Sequence, residues 1–283
     1  MMEVKSFLTG KRGVSLPFTD YCESIVKDQD SFNDAVEQIK DFGKQKNWDY
    51  IEWRGGNDFF KTISPSLSFY SHDVDLNSNE DELFSKLKGN TKRNIKKAQK
   101  KNIEIKLQNS LDSMKQFFKL NCMTRKKHGL PPQPFSFFKK LYRNVISKKK
   151  GFVALAYSKK KVIAGAVFLH FNKKAVYKYG ASDENFLNLR PNNLIMWEAI
   201  KHYAKEGYSN FSFGITEMEN HGLLQFKRGW GGTESSINYY RYSVKDEEFI
   251  KDSFRAKTSY SIFKRMPSPV LNLAGKILYK HMG

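Results

Sequence analysis

The stretch from Leu224 to Gly232, LQFKRGWGG, places one lysine between an aromatic residue and a glycine-rich turn. It follows a strand-like segment, FSFGI, at residues 211–215. Glycines leave a surface that another backbone or a ligand can approach closely. A lysine beside such a surface suits an anionic group, such as a phosphate or a developing oxyanion. Lys227 is therefore a candidate for chemistry, although the pattern alone favours a hairpin turn with a solvated lysine.

Hydrophobic periodicity predicts the elements that must position this stretch. From residue 110 the expected order is two helices, three successive strands, a helix, a strand, a short helix and a strand. The chain before residue 110 also mixes helices and strands, and Gly43 is the expected terminator of its first helix. The expected helices are 31–46, 80–101, 110–127, 135–148, 192–206 and 219–226, and the expected strands are 49–53, 69–76, 102–107, 152–157, 162–171, 175–180, 211–215 and 235–244.

The helix expected at 80–101 is broken at Gly89-Asn90, and its second piece is basic over most of its surface. Asn90 or Thr91 is the expected N-cap, and Ile95 and Ala98 form the apolar side. The basic positions are Lys92, Arg93, Lys96, Lys97, Lys100 and Lys101. Such a face either binds a polyanion or is simply solvated.

The positive charge is concentrated in one part of the chain. The net charge is +20, and the segment from Asp81 to Lys150 holds 20 lysines and arginines against 4 acids. That segment alone therefore carries +16. A local field of this kind attracts polyanions such as nucleic acid, nucleotide-sugar phosphates or an anionic membrane face. Lysine-rich surface decoration is the alternative.

Length and composition exclude several classes of protein. With 283 residues, 40% of them apolar, the chain fits two domains of middling size. Its two cysteines, Cys22 and Cys122, show no pairing pattern with histidines, so neither a disulfide scaffold nor a metal site is expected. No signal-peptide or membrane-spanning stretch is evident. We expect a soluble, cytoplasmic protein, with peripheral contact to the inner face of the membrane left open.

The C-terminal tail predicts a short amphipathic helix. Between Pro267 and His281, apolar residues recur at helical spacing. Such a helix either packs back on the body or touches a membrane surface, and packing is the favoured interpretation.

Several motifs in one order point to a family. These are RGVSLPFTDY (Arg12 to Tyr21), LKGNTKRNIKKAQKKNIEI (Leu87 to Ile105), LRPNNLIMWEAIKHYAKEGYSNFSFG (Leu189 to Gly214), GLLQFKRGWGG (Gly222 to Gly232) and FKRMPSPVLNLAGKILY (Phe263 to Tyr279). With the element order above, the chain resembles the Fem family, which adds amino acids to peptidoglycan precursors, and the FemAB-like proteins of polysaccharide gene clusters. Both belong to the acyl-CoA N-acyltransferase (GNAT) superfamily. The resemblance covers nearly the whole chain.

The resemblance implies an α+β fold with mixed sheets, built as two GNAT-like halves in tandem with a substrate groove across them. We expect the first half at 1–107, a second half with the transfer site at 108–245, and a tail at 246–283 that packs back on the body. The implied activity is transfer of an acyl or aminoacyl group onto a primary amine. The implied donor is aminoacyl-tRNA rather than acyl-CoA, with no cofactor. The implied acceptor is an anionic cell-envelope precursor.

In the family, the lysine of an FK motif lies at the site of transfer, and this motif falls here on Phe226 and Lys227. Lys227 is therefore the expected catalytic residue, aimed at the developing oxyanion or holding a phosphate of the donor. The residues expected to bind substrate are Phe226, Arg228, Gly229, Trp230, Lys92, Arg93, Lys96, Arg190 and Asn193. No convincing general base emerges. The carboxylates and histidine considered are Asp183, Glu184, Glu217, Glu219 and His221, each of which is more typical of a surface residue.

Two departures from the family pattern bear on the reaction. The CoA-binding turn of ordinary GNAT enzymes reads here Arg190-Pro-Asn-Asn-Leu-Ile195, which keeps the arginine and loses both small residues. This disfavours a standard CoA site. Ser212 occupies a position where related sequences carry an acid, so any role of that acid is missing or supplied elsewhere. Two alternatives stay open: a CoA-dependent N-acyltransferase of polysaccharide synthesis, and a non-catalytic, basic RNA- or membrane-binding protein.

Overall fold

The strands form one continuous sheet with helices on both faces. The computed structural model describes residues 1–251 and 261–281. Within these residues the strands are β1 (Met2–Ser6), β2 (Gly10–Val14), β3 (Tyr50–Arg54), β4 (Leu67–Asp75), β5 (Glu104–Gln108), β6 (Gly151–Ser158), β7 (Lys161–Phe171), β8 (Lys174–Ser182), β9 (Asn210–Glu217), β10 (Thr233–Ser243) and β11 (Glu248–Ile250). The α-helices of the same residues are α1 (Gln29–Lys46), α2 (Glu80–Lys86), α3 (Gly89–Lys100), α4 (Leu111–Lys127), α5 (Phe135–Asn144), α6 (Pro191–Lys205), α7 (His221–Lys227), α8 (Ser261–Arg265) and α9 (Ser268–Leu278). The predicted combination of helices with a mixed sheet is confirmed.

The sheet joins the two ends of the chain. Its strand order is β1-β2-β3-β10-β4-β9-β8-β7-β6-β5, with β11 paired to β10. Strand β10 pairs with both β3 and β4, and β4 pairs in turn with β9. Strands from before and after residue 107 therefore alternate in the middle of the sheet. The division of the chain at residues 107 and 245 stays a prediction.

Parallel strands β8 and β9 separate soon after they begin. Their pairing covers only three positions, from Lys174 opposite Asn210 to Val176 opposite Ser212. Further along, the β4–β9 register shifts by one residue, so Phe213 and Gly214 together face a single residue of β4. Gly214 has φ of +65°, a conformation that favours glycine at a bulge. The bulge bends β9 away from β8 and opens a gap between the two strands.

Three apolar clusters hold the layers together. The largest lies between the sheet and α3, α6 and the turn after α7, and includes Ile95, Trp197, Tyr203, Phe211 and Trp230. A second lies under α4 and α5 against β6, β7 and β8. A third lies between α1 and the strands β3 and β10. Burial of this apolar surface is the main stabilising contribution to the fold.

Most predicted elements are present, with corrected ends. Helix α1 runs through Gly43 to Lys46 and ends at Asn47, which adopts a left-handed conformation, so Gly43 is not its terminator. Helix α3 begins at Gly89 with Lys88 at the N-cap position, so neither Asn90 nor Thr91 is the cap, and Asn90 Oδ1 accepts from Thr91 N. The hairpin β1–β2 and the short β11 were not expected, because β2 reads GKRGV, without the alternation that marks a half-buried strand, and β11 has only 3 residues.

Candidate functional site

Lys227 lies in the gap between β8 and β9 and is buried. Only 3% of the residue is exposed, which rules out the solvated hairpin lysine. Its Nζ donates to Gly214 O at 2.8 Å and to Ile215 O at 3.1 Å, two carbonyls of β9 beyond its paired stretch with β8. Burial lowers the pKa of Lys227 to about 8, while Asp20 and Asp73 oppose the shift. A lysine whose pKa lies this close to neutral pH is typical of functional sites.

A short helix sets this position. Helix α7 follows β9 directly, and Asn220 caps it by accepting from Leu223 N at 3.2 Å. Leu224, one turn before Lys227, is buried with it and fixes the inward face of the helix. The lysine side chain consequently points back toward the end of β9.

A cavity of about 670 Å³ opens at the junction of β10, β4, β9 and β8. Its wall combines apolar, hydroxyl and charged side chains from all four strands, and the segment 18–21 covers one side. The charged lining residues are Asp20, Asp73 and Lys178. A second cavity of about 620 Å³ shares Asp73, Leu169, Val176 and Ser212 with it. The two cavities therefore form a groove across this face of the sheet.

The charged lining residues are held in place by neighbours. Lys178 Nζ donates to Asp20 Oδ1 at 2.7 Å, and Ser71 Oγ donates to Asp73 Oδ2 at 2.9 Å. The bulge at Gly214 makes room for the first pair, since a Cβ there would lie 2.7 Å from Asp20 Oδ2. Both carboxylates also act electrostatically on Lys227. Two acids and two lysines thus meet at the gap between β8 and β9.

Asp20, Asp73 and Lys178 were missed as site residues by sequence reasoning. Asp20 belongs to the motif RGVSLPFTDY, which supported the family resemblance but received no role. Asp73 lies directly opposite Ser212 in the β4–β9 ladder. A carboxylate is therefore present beside the position where the expected acid is absent from β9, and it comes from the neighbouring strand. The position of Asp20 inside a multi-residue motif was the available signal.

The glycines after Lys227 pack against the protein itself. A Cβ at Gly229 would collide with Thr91 Oγ1 of α3. At Gly231 it would lie 2.6 Å from Lys86 O, and at Gly232 it would lie 2.6 Å from Asp73 O. These glycines therefore allow α3, α2 and β4 to pack closely against the backbone that follows Lys227. The expected approach of a ligand to Gly229 stays a prediction.

The aromatic and arginine neighbours of Lys227 also have structural partners. Trp230 is 1% exposed and packs against Phe213 and Phe226, while Phe226 is half-buried. Arg228 is exposed and forms a bidentate ion pair with Glu234, at 2.6 and 2.8 Å. The structure thus places Phe226 and Trp230 in the large apolar cluster and Arg228 on the surface. Their roles toward substrate stay predictions.

The basic residues of α3 lie on the outer side of the helix. Arg93 and Lys96 are exposed, and Lys92 is half-buried with its Nζ donating to Ser85 O at 2.8 Å. The helix reaches the Lys227 turn through Thr91, which touches Gly229, and through Lys88 N, which donates to Gly229 O at 3.0 Å. The structure therefore brings the basic face next to the Lys227 turn, on the side of the sheet opposite the groove.

The N-terminus of α6 offers few free backbone donors. Arg190 is exposed with φ of +60°, and Pro191 at the first position has no N–H. Asn193 is buried, and its N–H donates to Arg190 O at 3.1 Å. A phosphate group binds at a helix start through several free N–H groups, so this turn is poorly suited to it. Neither Arg190 nor Asn193 lines the groove.

The five residues weighed as general bases do not line the cavity. Asp183 is buried and accepts from Lys161 Nζ at 3.0 Å, and Glu184 pairs with Lys127 at 3.2 Å. Glu217, Glu219 and His221 are exposed around the start of α7. Among residues 1–251 and 261–281 there is no group of three or more metal-ligating side chains, and no helix has the length and apolar content to cross a bilayer.

Comparisons with known proteins agree with this geometry. The acetyltransferase (GNAT) domain family matches residues 85–228. A lipid II:glycine glycyltransferase of Staphylococcus epidermidis is 32% identical over 75 residues, which are 24% of this chain and 18% of that protein. The match therefore spans less than a fifth of the relative's length.

Solved structures share the fold at low sequence identity. FemX superposes with a TM-score of 0.62 and 14% identity, covering 81% of this chain and 80% of FemX. L-PGS from Bacillus licheniformis superposes with a TM-score of 0.52 and 10% identity, covering 83% and 78%. Because the family match alone spans half of the sequence, the chain belongs to the acetyltransferase (GNAT) domain family. It is similar to a Fem glycyltransferase over part of its sequence and to FemX in fold.

Proposed function

We propose that this protein transfers an acyl or aminoacyl group onto a primary amine of an anionic cell-envelope precursor, such as a peptidoglycan peptide or an amino sugar. The observation that carries the proposal is the buried Lys227 beside a cavity that contains two carboxylates. The staphylococcal relative is a lipid II:glycine glycyltransferase, an activity of the same class.

The carboxylates suit the acceptor amine. The protein carries a net charge of +20, whereas this pocket presents two acids, Asp20 and Asp73, and one lysine, Lys178. An ammonium group entering the cavity would be attracted by these two acids. Asp20 is already paired with Lys178, whereas Asp73 receives a hydrogen bond from a neutral hydroxyl. Asp73 is therefore the better placed of the two to take a proton from the amine.

The transfer step needs no cofactor, because every bond and proton is accounted for by donor, acceptor and protein. The amine nitrogen loses its proton to Asp73, directly or through water, and attacks the ester or thioester carbonyl of the donor. A C–N bond forms and negative charge develops on the carbonyl oxygen. The bond to the leaving oxygen or sulfur then breaks, and the leaving group takes up a proton. Lys227, as an ammonium, would stabilise the negative charge of the tetrahedral intermediate.

Aminoacyl-tRNA is the donor that the charges favour. The start of α6 has few free N–H groups for the pyrophosphate of CoA, as Pro191 and Asn193 show. The exposed cations of α3 border the Lys227 turn and would neutralise an RNA backbone. A polyanionic donor on this face would reach the gap between β8 and β9 from the side opposite the groove. The acceptor would then occupy the groove.

The direct test is a transfer assay with defined substrates. Purified protein is incubated with lipid II and either radiolabelled glycyl-tRNA, a pool of other labelled aminoacyl-tRNAs, or labelled acetyl-CoA. We expect label in lipid II from an aminoacyl-tRNA, and ribonuclease treatment of the donor should abolish it. Transfer from acetyl-CoA alone would replace the tRNA donor with CoA. No transfer from any donor to lipid II or to amino-sugar acceptors would contradict the proposal.

Asp73 can be tested against a neighbour on the same strand. Asp73→Asn keeps the shape of the side chain and removes its capacity to accept a proton, so we expect kcat to fall about 100-fold. Asp75→Asn is the matched control, because Asp75 is exposed at the end of β4 and lies outside the cavity. Equal kcat values for the two variants would remove Asp73 from the reaction. An effect on KM alone would assign Asp73 to binding of the ammonium.

A further inference from the structure

The C-terminal helix α9 presents an apolar strip that the body of the protein does not cover. Val270, Leu273 and Ile277 recur at intervals of three and four residues, which places them on one face. Each is at least half exposed, at 50%, 57% and 53%. Three aligned, exposed aliphatic side chains on a helix of 11 residues are unusual for a surface exposed only to water.

The same helix is anchored by a different face. Leu271 is 1% exposed, and Gly275 lies so close to Pro132 O that a Cβ would collide with it. This face of α9 contacts α4 and the loop after it. Residues 252–260 of the predicted tail lie outside the described residues, and the packing of the whole tail stays a prediction. The anchored face fixes the orientation of α9, so the exposed strip keeps a defined direction.

A second set of exposed apolar side chains adjoins the end of α9. The tip of the β1–β2 hairpin carries Phe7 and Leu8, which are 84% and 52% exposed. The Phe7 ring meets the ring of His281 edge-on at 5.0 Å, and Ser6 Oγ lies 3.1 Å from His281 Nδ1. Residues from the two ends of the chain therefore meet at one place on the surface.

Exposed cations accompany this surface. Lys264 and Arg265 of α8 and Lys276 of α9 are exposed, and the sequence has no acidic residue from residue 253 onward. Lys264 also acts electrostatically on His128, together with Lys127 and Arg125 at the end of α4. Cations beside an apolar strip complement anionic lipid headgroups above acyl chains.

We propose that the strip Val270–Leu273–Ile277 and the hairpin tip Phe7–Leu8 form a docking face for an anionic lipid bilayer. Helix α9 is about 16 Å long at 1.5 Å per residue, so it is too short to span a bilayer and would lie in the plane of the interface. The apolar side chains insert below the headgroups, and the surrounding lysines contact the phosphates.

The docking face borders the groove. Tyr279, just after α9, stacks on Phe18 with a centroid distance of 5.4 Å, and Phe18 lines the cavity. Docking would therefore hold the mouth of the groove near the membrane surface, where a lipid-linked acceptor is found. This consequence rests on the proposed function, whereas docking itself does not and is tested without any transfer reaction.

The test is co-sedimentation of the full chain with vesicles of phosphatidylcholine, with and without phosphatidylglycerol. We expect binding that requires phosphatidylglycerol and weakens at high salt. The double variant Leu273→Ser/Ile277→Ser should bind at least about 10-fold more weakly, since two inserted aliphatic side chains are lost. Phe171→Ser is the matched control, because Phe171 is 73% exposed at the β7–β8 turn and belongs neither to the strip nor to the hairpin tip, so this variant should bind like the unchanged protein.

Three results would overturn the proposal. The first is no binding of the unchanged protein to anionic vesicles. The second is equal binding of the double variant, which would mean that cations elsewhere adsorb the protein. The third is a dimer in light scattering that the double variant dissociates, because the strip would then contact a second copy. Circular dichroism of the double variant separates each result from loss of fold, and exposed positions are expected to tolerate serine.

Discussion

Lys227 and the lysines of α3 are neighbours with opposite surroundings. Lys227 is 3% exposed and donates to two carbonyls, whereas Lys96 and Arg93 are exposed on the outside of a helix. The two regions touch, since Thr91 of α3 lies against Gly229, two residues after Lys227. In the sequence both regions look basic, and only the fold separates one buried cation from a cationic surface.

The difference predicts two kinds of function. A buried, hydrogen-bonded cation acts at one point, and its effect depends on geometry and on its own pKa. Exposed cations act as a group through a field that salt screens. Substitution at Lys227 should therefore affect the chemical step, while substitution on α3 should affect affinity for a polyanion. The predictions below separate these two kinds of effect, beginning with the largest.

Lys227→Met should have the largest effect on transfer. Methionine fills a similar volume and has no charge, so kcat should fall about 100- to 1,000-fold, as for loss of one oxyanion donor. Lys173→Met is the matched control, because Lys173 also donates to a backbone carbonyl, Glu206 O at 3.3 Å, but is exposed and lines neither cavity. Steady-state kinetics of both variants measure the contrast. Equal rates would remove Lys227 from the mechanism.

The pH dependence should reveal the buried cation. Because the pKa of Lys227 is lowered to about 8, its charge is lost as the pH rises through that value. If the ammonium acts in transfer, kcat should fall about 10-fold per pH unit above the pKa. A rate that rises instead would indicate that the neutral amine is the active form.

The same shift affects stability with a defined sign. The ordinary pKa of a lysine is 10.5, so between about pH 8 and 10.5 the unfolded chain holds a proton that the folded chain has released from Lys227. The contribution of Lys227 to the free energy of unfolding should therefore increase with pH across this window. Urea unfolding at several pH values measures it. In Lys227→Met this contribution should disappear, and an unchanged pH slope would mean that Lys227 is not the group that titrates.

The elements of the fold were largely predictable, because long amphipathic helices and alternating strands carry their own signal. The strands 152–157, 162–171 and 175–180 correspond to β6, β7 and β8 within two residues at each end. The β1–β2 hairpin was not predictable, because GKRGV lacks an alternating apolar pattern. Its place in the sheet depends on parallel pairing with β3, a contact that is distant in sequence.

The candidate site was predictable at Lys227 and not at its partners. The FK motif and the glycine-rich turn singled out Lys227. Its burial excludes a lysine that is simply solvated. Asp20, Asp73 and Lys178 come from three separate parts of the chain, and only the order of strands in the sheet brings them together. The glycines after Lys227 were recognisable as a surface for close approach, but the sequence did not reveal their partner. For Gly229 that partner is α3.

Gly229→Ala tests how much the contact between α3 and the Lys227 turn contributes to the stability of the protein. The new methyl group would collide with Thr91 Oγ1, so the free energy of unfolding should fall by about 1–3 kcal/mol. Thr91→Ala in the same chain removes the colliding atom and should recover most of the loss. Chemical denaturation of the two single variants and the double variant measures this coupling. Additive losses would show that the contact is not the cause.

The smallest effect is expected from the surface of α3. The triple variant Lys92→Ala/Arg93→Ala/Lys96→Ala removes three charges that lie outside the groove. Affinity for tRNA should fall about 10-fold at moderate salt, and the slope of log affinity against log salt should decrease by about 2 to 3. The effect should vanish at high salt, and kcat at saturating donor should stay within about 2-fold, because no charge near the reacting carbonyl is removed. Lys159→Ala/Lys160→Ala, at two exposed positions of the β6–β7 turn that line neither cavity, is the control for general loss of positive charge. A loss of kcat that salt does not change would place α3 in the chemical step and end the distinction between the buried cation and the cationic surface.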